Sequence, residues 1–326
     1  MTLGHRAFLP LLGLLGLAIL VWRADAQAAR MAVLQVGWGI VLVVGQEVVA
    51  HLLNTLGWRF AFAREHVASL PFGELLRLRL AGDAINYLTP SATIAGEYAR
   101  VAMLGDRLGA DIRAASVVVA KSAQTLAQAV FIAAGLLLLG AGLVIAGPGR
   151  SLVFWGLGLG GLPLAILLVY GWTAARLGPV RASLRDAARW LAAFLRDHPG
   201  RVVLSTLMFV FAYGWGSFEA YWICRFLGIP VPVFTALAIE VLSVTVDGIL
   251  FVMPAKIGTQ EGGKVAVFAA LGLPASLGLA FGLVRHVREL SWASIGMLLY
   301  FLSARRRGWR PHDPVRPMEA GPAPSS

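Results

Sequence analysis

DAINYLTPSATIAGEYARVA (residues 83–102) and DGILFVMPAKIGTQEGGKVA (residues 247–266) are two stretches of one chain that align without a gap at a shift of 164 positions. Asp83 falls on Asp247, Pro90 on Pro254, Glu97 on Glu261 and Arg100 on Lys264. Ile85, Val101 and Ala102 meet identical residues, and Tyr87 meets Phe251. Further along, Lys121 falls on Arg285, each inside an apolar run. Aliphatic matches carry little weight in a chain this apolar. The Asp, Pro, Glu and basic matches carry the argument, because those residue types are scarce here. The expectation is an internal duplication, with units around 80–145 and 244–306.

The scarcity is itself decisive. Charged residues make up 14% of the 326 residues and hydrophobic ones 58%, whereas a soluble domain carries about 25% charged residues. Such a chain cannot clothe a water-soluble fold of this size. The expected fold is all-α and polytopic in a membrane. Crossings need about 20 mostly apolar residues, and candidates lie near 7–22, 31–53, 114–146, 151–172, 202–223, 233–253 and 276–303. Two further stretches, near 80–104 and 254–273, are apolar but broken by Pro, Gly and charges. The reading is therefore about 7–9 transmembrane helices, two segments being broken or re-entrant. No alternating barrel pattern is present in the sequence. A transmembrane domain over 1–307 is followed by a Pro-rich tail, 308–326, that reads as disordered and cytoplasmic. Residues 1–26 fit either a short anchor or a cleaved signal peptide, with His5 and Arg6 before an apolar run and small residues around Ala24.

The net charge of +11 is carried almost wholly by Arg. In a membrane chain this reports topology and contact with anionic lipid, so no nucleic-acid partner is expected. Arg clusters in 54–79, in 173–201 and in the tail orient these segments and both termini to the cytoplasm. Arg181, Arg185 and Arg189 sit at a spacing that puts a basic face on an interfacial helix, or on an ordinary linker helix. This count sets both motifs near the cytoplasmic face, whereas inverted repeats would set them on opposite faces. Parallel and inverted arrangements both stay open. The single cysteine, Cys224, excludes an internal disulfide.

A charge at the bilayer centre costs from about 3 to above 10 kcal/mol, and persists where it faces a bundle interior or a watered cavity. Pro90 and Pro254 stop a helix from running straight through, and Gly258 loosens the second break. Paired interrupted segments in corresponding halves point to a transporter's central site. Glu97 with Arg100 and Glu261 with Lys264 stand three residues apart, on one helix face and close enough to pair. These four residues are expected to line a polar cavity between the halves. Lys121, Arg285 and Arg288 are the expected head-group contacts, and Asp83, Asn86 and Asp247 are expected to hydrogen-bond the broken helix ends. The bland alternatives are snorkelling for Lys121, a helix end for Arg285 and Arg288, and structural pairing for Glu97 and Arg100. Glu47, Glu219 and Glu240 read as interhelical hydrogen-bonders. Gly258 to Lys264 spells G-x-x-x-x-G-K, but Val265 follows where a phosphate-binding loop needs Ser or Thr. No HExxH or nucleophile elbow occurs in the sequence.

These same residues resemble a known family. GDAINYLTPSATIAGEYARVAML (82–104) and MPAKIGTQEGG (253–263) are similar to the motifs of the lysylphosphatidylglycerol-synthase transmembrane-region family, also called the flippase-like domain family. The first motif's Gly, Asn, Pro, Gly-Glu and Arg are Gly82, Asn86, Pro90, Gly96, Glu97 and Arg100; the second's Pro, Gly and Glu are Pro254, Gly258 and Glu261. The PAKIGTQEGG wording resembles the branch associated with hopanoid biosynthesis. The resemblance implies a multi-pass protein of the bacterial inner membrane that moves or presents a lipid. Its implied partners are membrane lipids and enzymes of lipid biosynthesis. No cofactor and no metal are expected. The aminoacylation reaction of the larger synthase relatives is not expected, since their soluble transfer domain is not recognisable here. An intramembrane lipid-modifying enzyme and a non-transporting scaffold for lipid synthesis are the alternatives.

Overall fold

The computed structural model describes residues 31, 34–89, 94–105, 108–146, 181–249 and 259–306. The expected spans near 7–22 and 151–172, the 1–26 segment, the 308–326 tail, Pro90, Pro254 and Gly258 lie outside the described residues. The described residues are helical and contain no strand. In chain order the helices are α1 (Gly39–Phe60), α2 (Arg64–Val67), α3 (Phe72–Leu88), α4 (Ile94–Met103), α5 (Ala110–Ala146), α6 (Arg181–Asp197), α7 (Pro199–Phe226), α8 (Val233–Ile249), α9 (Thr259–Ala270) and α10 (Ala275–Arg306).

Among the described residues, three helices are both long and apolar enough to cross a bilayer: α1, α5 over Ala110–Leu139, and α7. At 1.5 Å rise per residue, the 22 residues of α1 reach about 33 Å, sufficient for a hydrocarbon core of about 30 Å. The 32 residues of α10 reach about 48 Å, yet Arg285, His286, Arg288 and Glu289 interrupt its apolar character. Leu42, Val48, Leu137, Leu138, Phe211 and Leu298 point outward from these long helices, as side chains that face lipid do.

α1 and α7 form the central pair and run antiparallel. Arg201 donates to the Arg59 carbonyl at 2.9 Å, Ser205 to that of Gly57 at 2.8 Å, and Trp215 to Gln46 Oε1 at 2.6 Å. A Cβ at Gly57 would stand 2.8 Å from the Phe209 ring, so the glycine lets the two helices close up. The sequence reading ends this first long span near 53, but α1 runs on to Phe60. Thr55, Gly57 and Trp58 near that end are buried, and the Thr55 hydroxyl donates to the His51 carbonyl one turn back in the same helix. Val43, Ile223, Ile239 and Phe281 anchor one apolar cluster, and Trp58, Leu75, Leu78 and Phe209 anchor a second. α6 lies against α5 and α7, inserting Leu191 and Phe194 into the second cluster while Arg189 and Arg196 stay exposed.

In each of the two stretches the described residues form two helices. α3, with 17 residues, stops at Leu88, and α4 starts at Ile94 and runs for 10 residues. Of the second stretch, the described residues form α8 up to Ile249 and the 12-residue α9 from Thr259. α3 packs along α10, and α8 packs along α5.

Candidate functional site

The first short pair is joined across its break by side chains. Gly96 lies in the first turn of α4, where backbone N–H groups have no partner within the helix. Its N–H donates to Asn86 Oδ1 at 2.7 Å, and Asn86 Nδ2 donates to Glu97 Oε1 at 3.3 Å. The two helices touch backbone to backbone there. A Cβ on Gly82 would stand 2.6 Å from Arg100 Nε, and a Cβ on Gly96 would overlap the Gly82 carbonyl oxygen. The motif's spacing of Gly, Asn, Gly-Glu and Arg is thus the requirement of one tight helical hairpin.

Inside that hairpin lies a mixed ion cluster. Arg100, with a side chain 4% exposed, pairs with Glu97 at 2.7 Å and with Asp83. Arg79 reaches Asp83 at 3.5 Å, one turn along α3. The guanidiniums of Arg100 and Arg79 also lie over the rings of Trp58 and Phe209, at 5.7 and 5.5 Å. Lys121 on α5 completes the group, 3.8 Å from Glu97 and with its side chain 42% exposed. Exposure separates the cations: both arginine side chains are 4% exposed, whereas that of Lys121 is 42% exposed.

The second short pair contains the equivalent contact. Lys264 Nζ lies 3.0 Å from Asp247 Oδ1, and the Lys264 side chain is fully buried. Basic and acidic partners are 17 residues apart in both pairs, Asp83 with Arg100 and Asp247 with Lys264. The side chain of Glu261 lies outside the described residues.

Arg285 and Arg288 stand in a separate cluster, spread over four helices. Arg285 pairs with Glu240 of α8 and lies 3.1 Å from Glu219 of α7. Arg288 contacts Glu47 of α1 at 2.8 Å, Glu219 at 2.7 Å and Glu289 at 3.3 Å. A Cβ at Gly216 would overlap Glu240, so this glycine admits the carboxylate to its arginine. Both arginines, expected as head-group contacts, have carboxylates as their neighbours in the structure. His51 lies between the two clusters, its ring 4.4 Å from that of Trp292 and within electrostatic reach of Glu47, Asp83, Arg79 and Arg288.

Sequence reasoning placed Arg79 in a cytoplasmic connection. The structure corrects this, because α3 already begins at Phe72 and leaves Arg79 buried at 3% exposure. The signal was there in the spacing, since Arg79 and Asp83 stand at i and i+4 and share a helix face. Glu47, Glu219 and Glu240 were recognised as interhelical residues but not as counter-charges. The clue was that acids in apolar spans require nearby cations. Among the described residues, no group of three or more His, Cys, Asp or Glu side chains could hold a metal ion. A cavity of about 580 Å³ opens near Gln35, Ser276 and Leu283, with no charged residue in its lining.

The model of the family described as "Lysylphosphatidylglycerol synthase TM region" matches residues 10–296. No curated protein and no solved structure matches this chain.

Proposed function

The chain belongs to the lysylphosphatidylglycerol synthase TM region family, and from that premise we propose that it moves or presents a membrane lipid with an anionic head group. The lipid is a phospholipid or a hopanoid-type lipid, and the site is the ion cluster of α3, α4 and α5. The observation that carries this reading is the state of Lys121. Among the described residues of that cluster, Arg79, Arg100 and Lys121 face Asp83 and Glu97, a formal excess of one positive charge. The half-exposed cation is Lys121, about 16 Å along α5 from Ala110. A phosphate oxygen that reaches it exchanges lost hydration for a charge-assisted hydrogen bond. The sealed arginines hold the carboxylates in place, so Lys121 is left to engage the ligand.

The test is head-group translocation in vesicles containing the purified protein, read by chemical quenching of fluorescently labelled phosphatidylglycerol. Lys121→Gln is expected to slow translocation roughly tenfold, the effect of losing about 1.4 kcal/mol of binding. An unchanged rate in this variant would remove Lys121 from the site. A mass change in the added lipid without translocation would identify a lipid-modifying enzyme. Co-purification of lipid-synthesis enzymes with neither effect would identify a scaffold.

We further read the architecture as an inverted repeat in the inner membrane of a bacterium. Shifted by 164 positions, the starts of α1, α3, α4 and α5 fall within four residues of those of α7, α8, α9 and α10. The equivalent helices α1 and α7 run antiparallel, which supports inversion about an axis in the membrane plane. The packing supports it as well: α3 on α10 and α8 on α5 are the same contact under this exchange. The α3–α4 hairpin then enters from the cytoplasmic, Arg-rich face and α8–α9 from the opposite one. Cysteines introduced at the exposed hairpin entrances test this. Ser69→Cys is expected to react with an impermeant thiol reagent from the cytoplasmic side only, and Ser276→Cys from the other side only. Labelling of both from one side would establish parallel units.

A further inference from the structure

Arg59, Arg64 and Arg201 come from three helices and meet at one end of the α1–α7 seam. Arg59 is the last residue but one of α1, Arg64 the first of α2 and Arg201 the third of α7. The Arg201 guanidinium is fixed in position. Its Nη2 donates to the Arg59 carbonyl at 2.9 Å, and its central carbon lies 5.5 Å from the centroid of the Phe60 ring. One turn further along α7, Ser205 closes the same seam on the Gly57 carbonyl at 2.8 Å. These contacts hold Arg201 without neutralising it, because a carbonyl oxygen has no net charge and an aromatic ring offers only a quadrupole.

The charges around Arg201 do not cancel. Among the described residues, the charged groups within its electrostatic reach are Arg64, Arg59 and Glu65, and each arginine acts on it more strongly than the acid. Asp197, the acid nearest to Arg201 in sequence, is held by Arg196 at 2.9 Å. The helix dipoles do not set the sign, since the negative end of α1 stands against the positive end of α7. Depth matters as well. Arg59 stands about 30 Å along α1 from Gly39, the thickness of a hydrocarbon core. With Gly39 at one boundary of that core, Arg59 lies at the other, at the level of lipid phosphates. Arg64 is exposed and Arg59 and Arg201 are half-buried, so a ligand can reach all three.

We propose that Arg59, Arg64 and Arg201 bind the phosphate of an anionic phospholipid that stands in the leaflet beside the α1–α7 seam. Planar guanidiniums give a phosphate short, charge-assisted hydrogen bonds, and the bound anion relieves the repulsion among the three cations. A free phosphate offers the same oxygens, but acyl chains deliver the lipid's phosphate to this depth. The lipid is a fixed companion of the fold, tying α2 to the seam. The proposal does not rest on the head-group reading, since it concerns other side chains than the cluster around Lys121.

The experiment is hydrogen exchange of the purified full chain in detergent micelles, read by mass spectrometry on peptides covering 57–66 and 198–205. Added phosphatidylglycerol is expected to slow exchange there until the site saturates. Phosphatidylcholine, whose choline offsets the phosphate charge, and inorganic phosphate at the same concentration are expected to leave exchange unchanged. Arg64→Gln is expected to raise the half-saturating lipid fraction about fivefold, the worth of one basic residue near an anionic surface. Arg201→Gln is expected to do the same, but it also removes the bond to the Arg59 carbonyl. The exposed Arg64 therefore keeps the test if Arg201→Gln does not fold. Arg196→Gln, exposed on α6, is expected to leave the titration unmoved. Equal protection by phosphatidylcholine or by inorganic phosphate overturns the lipid assignment. An unmoved titration in Arg64→Gln overturns the site. So does an equal loss in Arg196→Gln, because the attraction then belongs to the arginine-rich surface as a whole. Lys121→Gln is expected to keep the protection, so this proposal and the head-group reading fail in different assays.

Discussion

Arg288→Leu is expected to lower unfolding stability by about 3–5 kcal/mol, the range for removing one partner from a buried ion pair. The expectation follows from how many helices this one side chain joins. Its Nη1 lies 2.8 Å from Glu47 on α1 and 2.7 Å from Glu219 on α7, and its Nη2 lies 3.3 Å from Glu289 on its own helix. Leucine fills the volume but takes a guanidinium from Glu47 and Glu219, and leaves Glu219 with Arg285, which is already paired with Glu240. Denaturant unfolding in detergent, followed by tryptophan fluorescence, measures the loss. The double variant Glu219→Leu, Arg288→Leu discriminates between causes. If uncompensated charge is responsible, the double variant recovers part of the loss, because replacing both partners by apolar groups leaves fewer orphans. If the double is less stable than the single by the full cost of a second cavity, packing is responsible and the ionic account fails.

That cluster also shows what a sequence of this kind conceals. The residues of the first motif are legible because ionic types are rare here, and an Asp, a Glu and an Arg in a Pro-broken apolar stretch cannot be incidental. The 164-position shift exposes their counterparts by the same rarity. The partners of each charge are less legible. Spacing of three residues suggests Glu97 with Arg100, and that contact exists at 2.7 Å. The contacts of Arg100 with Asp83 and of Lys264 with Asp247 span 17 residues, so they depend on a chain reversal between helices that no local periodicity encodes. Lys121 and Arg285 align, yet their surroundings diverge. The acids that enclose Arg285, Glu219 and Glu240, align with Thr55 and Leu76, so the first unit has no equivalent carboxylates to close around Lys121. The proposed duplication rests on the matches, and the different surroundings of Lys121 and Arg285 follow from the mismatches. Arg79 shows a different limit, since loop counting set the boundary of the connection at a residue that the fold had already drawn into α3.

Gly96→Ala tests the tight hairpin that holds the proposed head-group site, and a loss of about 1–3 kcal/mol is expected from overpacking at a well-filled position. Flexible side chains often yield to an added methyl group. Here the first atom in the way is the Gly82 carbonyl oxygen, followed by the Asn86 side chain at 2.5 Å. Backbone cannot swing aside as a rotamer does, so α4 must move away from α3. That movement pulls the Gly96 N–H off Asn86 Oδ1 and draws Arg100 from Asp83, because both contacts cross the same seam. Gly214 provides the internal control. It lies within α7, and nothing stands within 4 Å of the Cβ it would gain. Gly214→Ala is expected to raise stability by about 0.5–1 kcal/mol, since alanine has less backbone freedom to lose within a helix. Opposite signs at the two positions, read by thermal unfolding of each purified variant, would establish that Gly96 serves a contact and not a bend. The same sign at both would mean that α3 and α4 are not in backbone contact at this point, and that the arrangement of Asp83, Glu97 and Arg100 is not held by the motif's glycines.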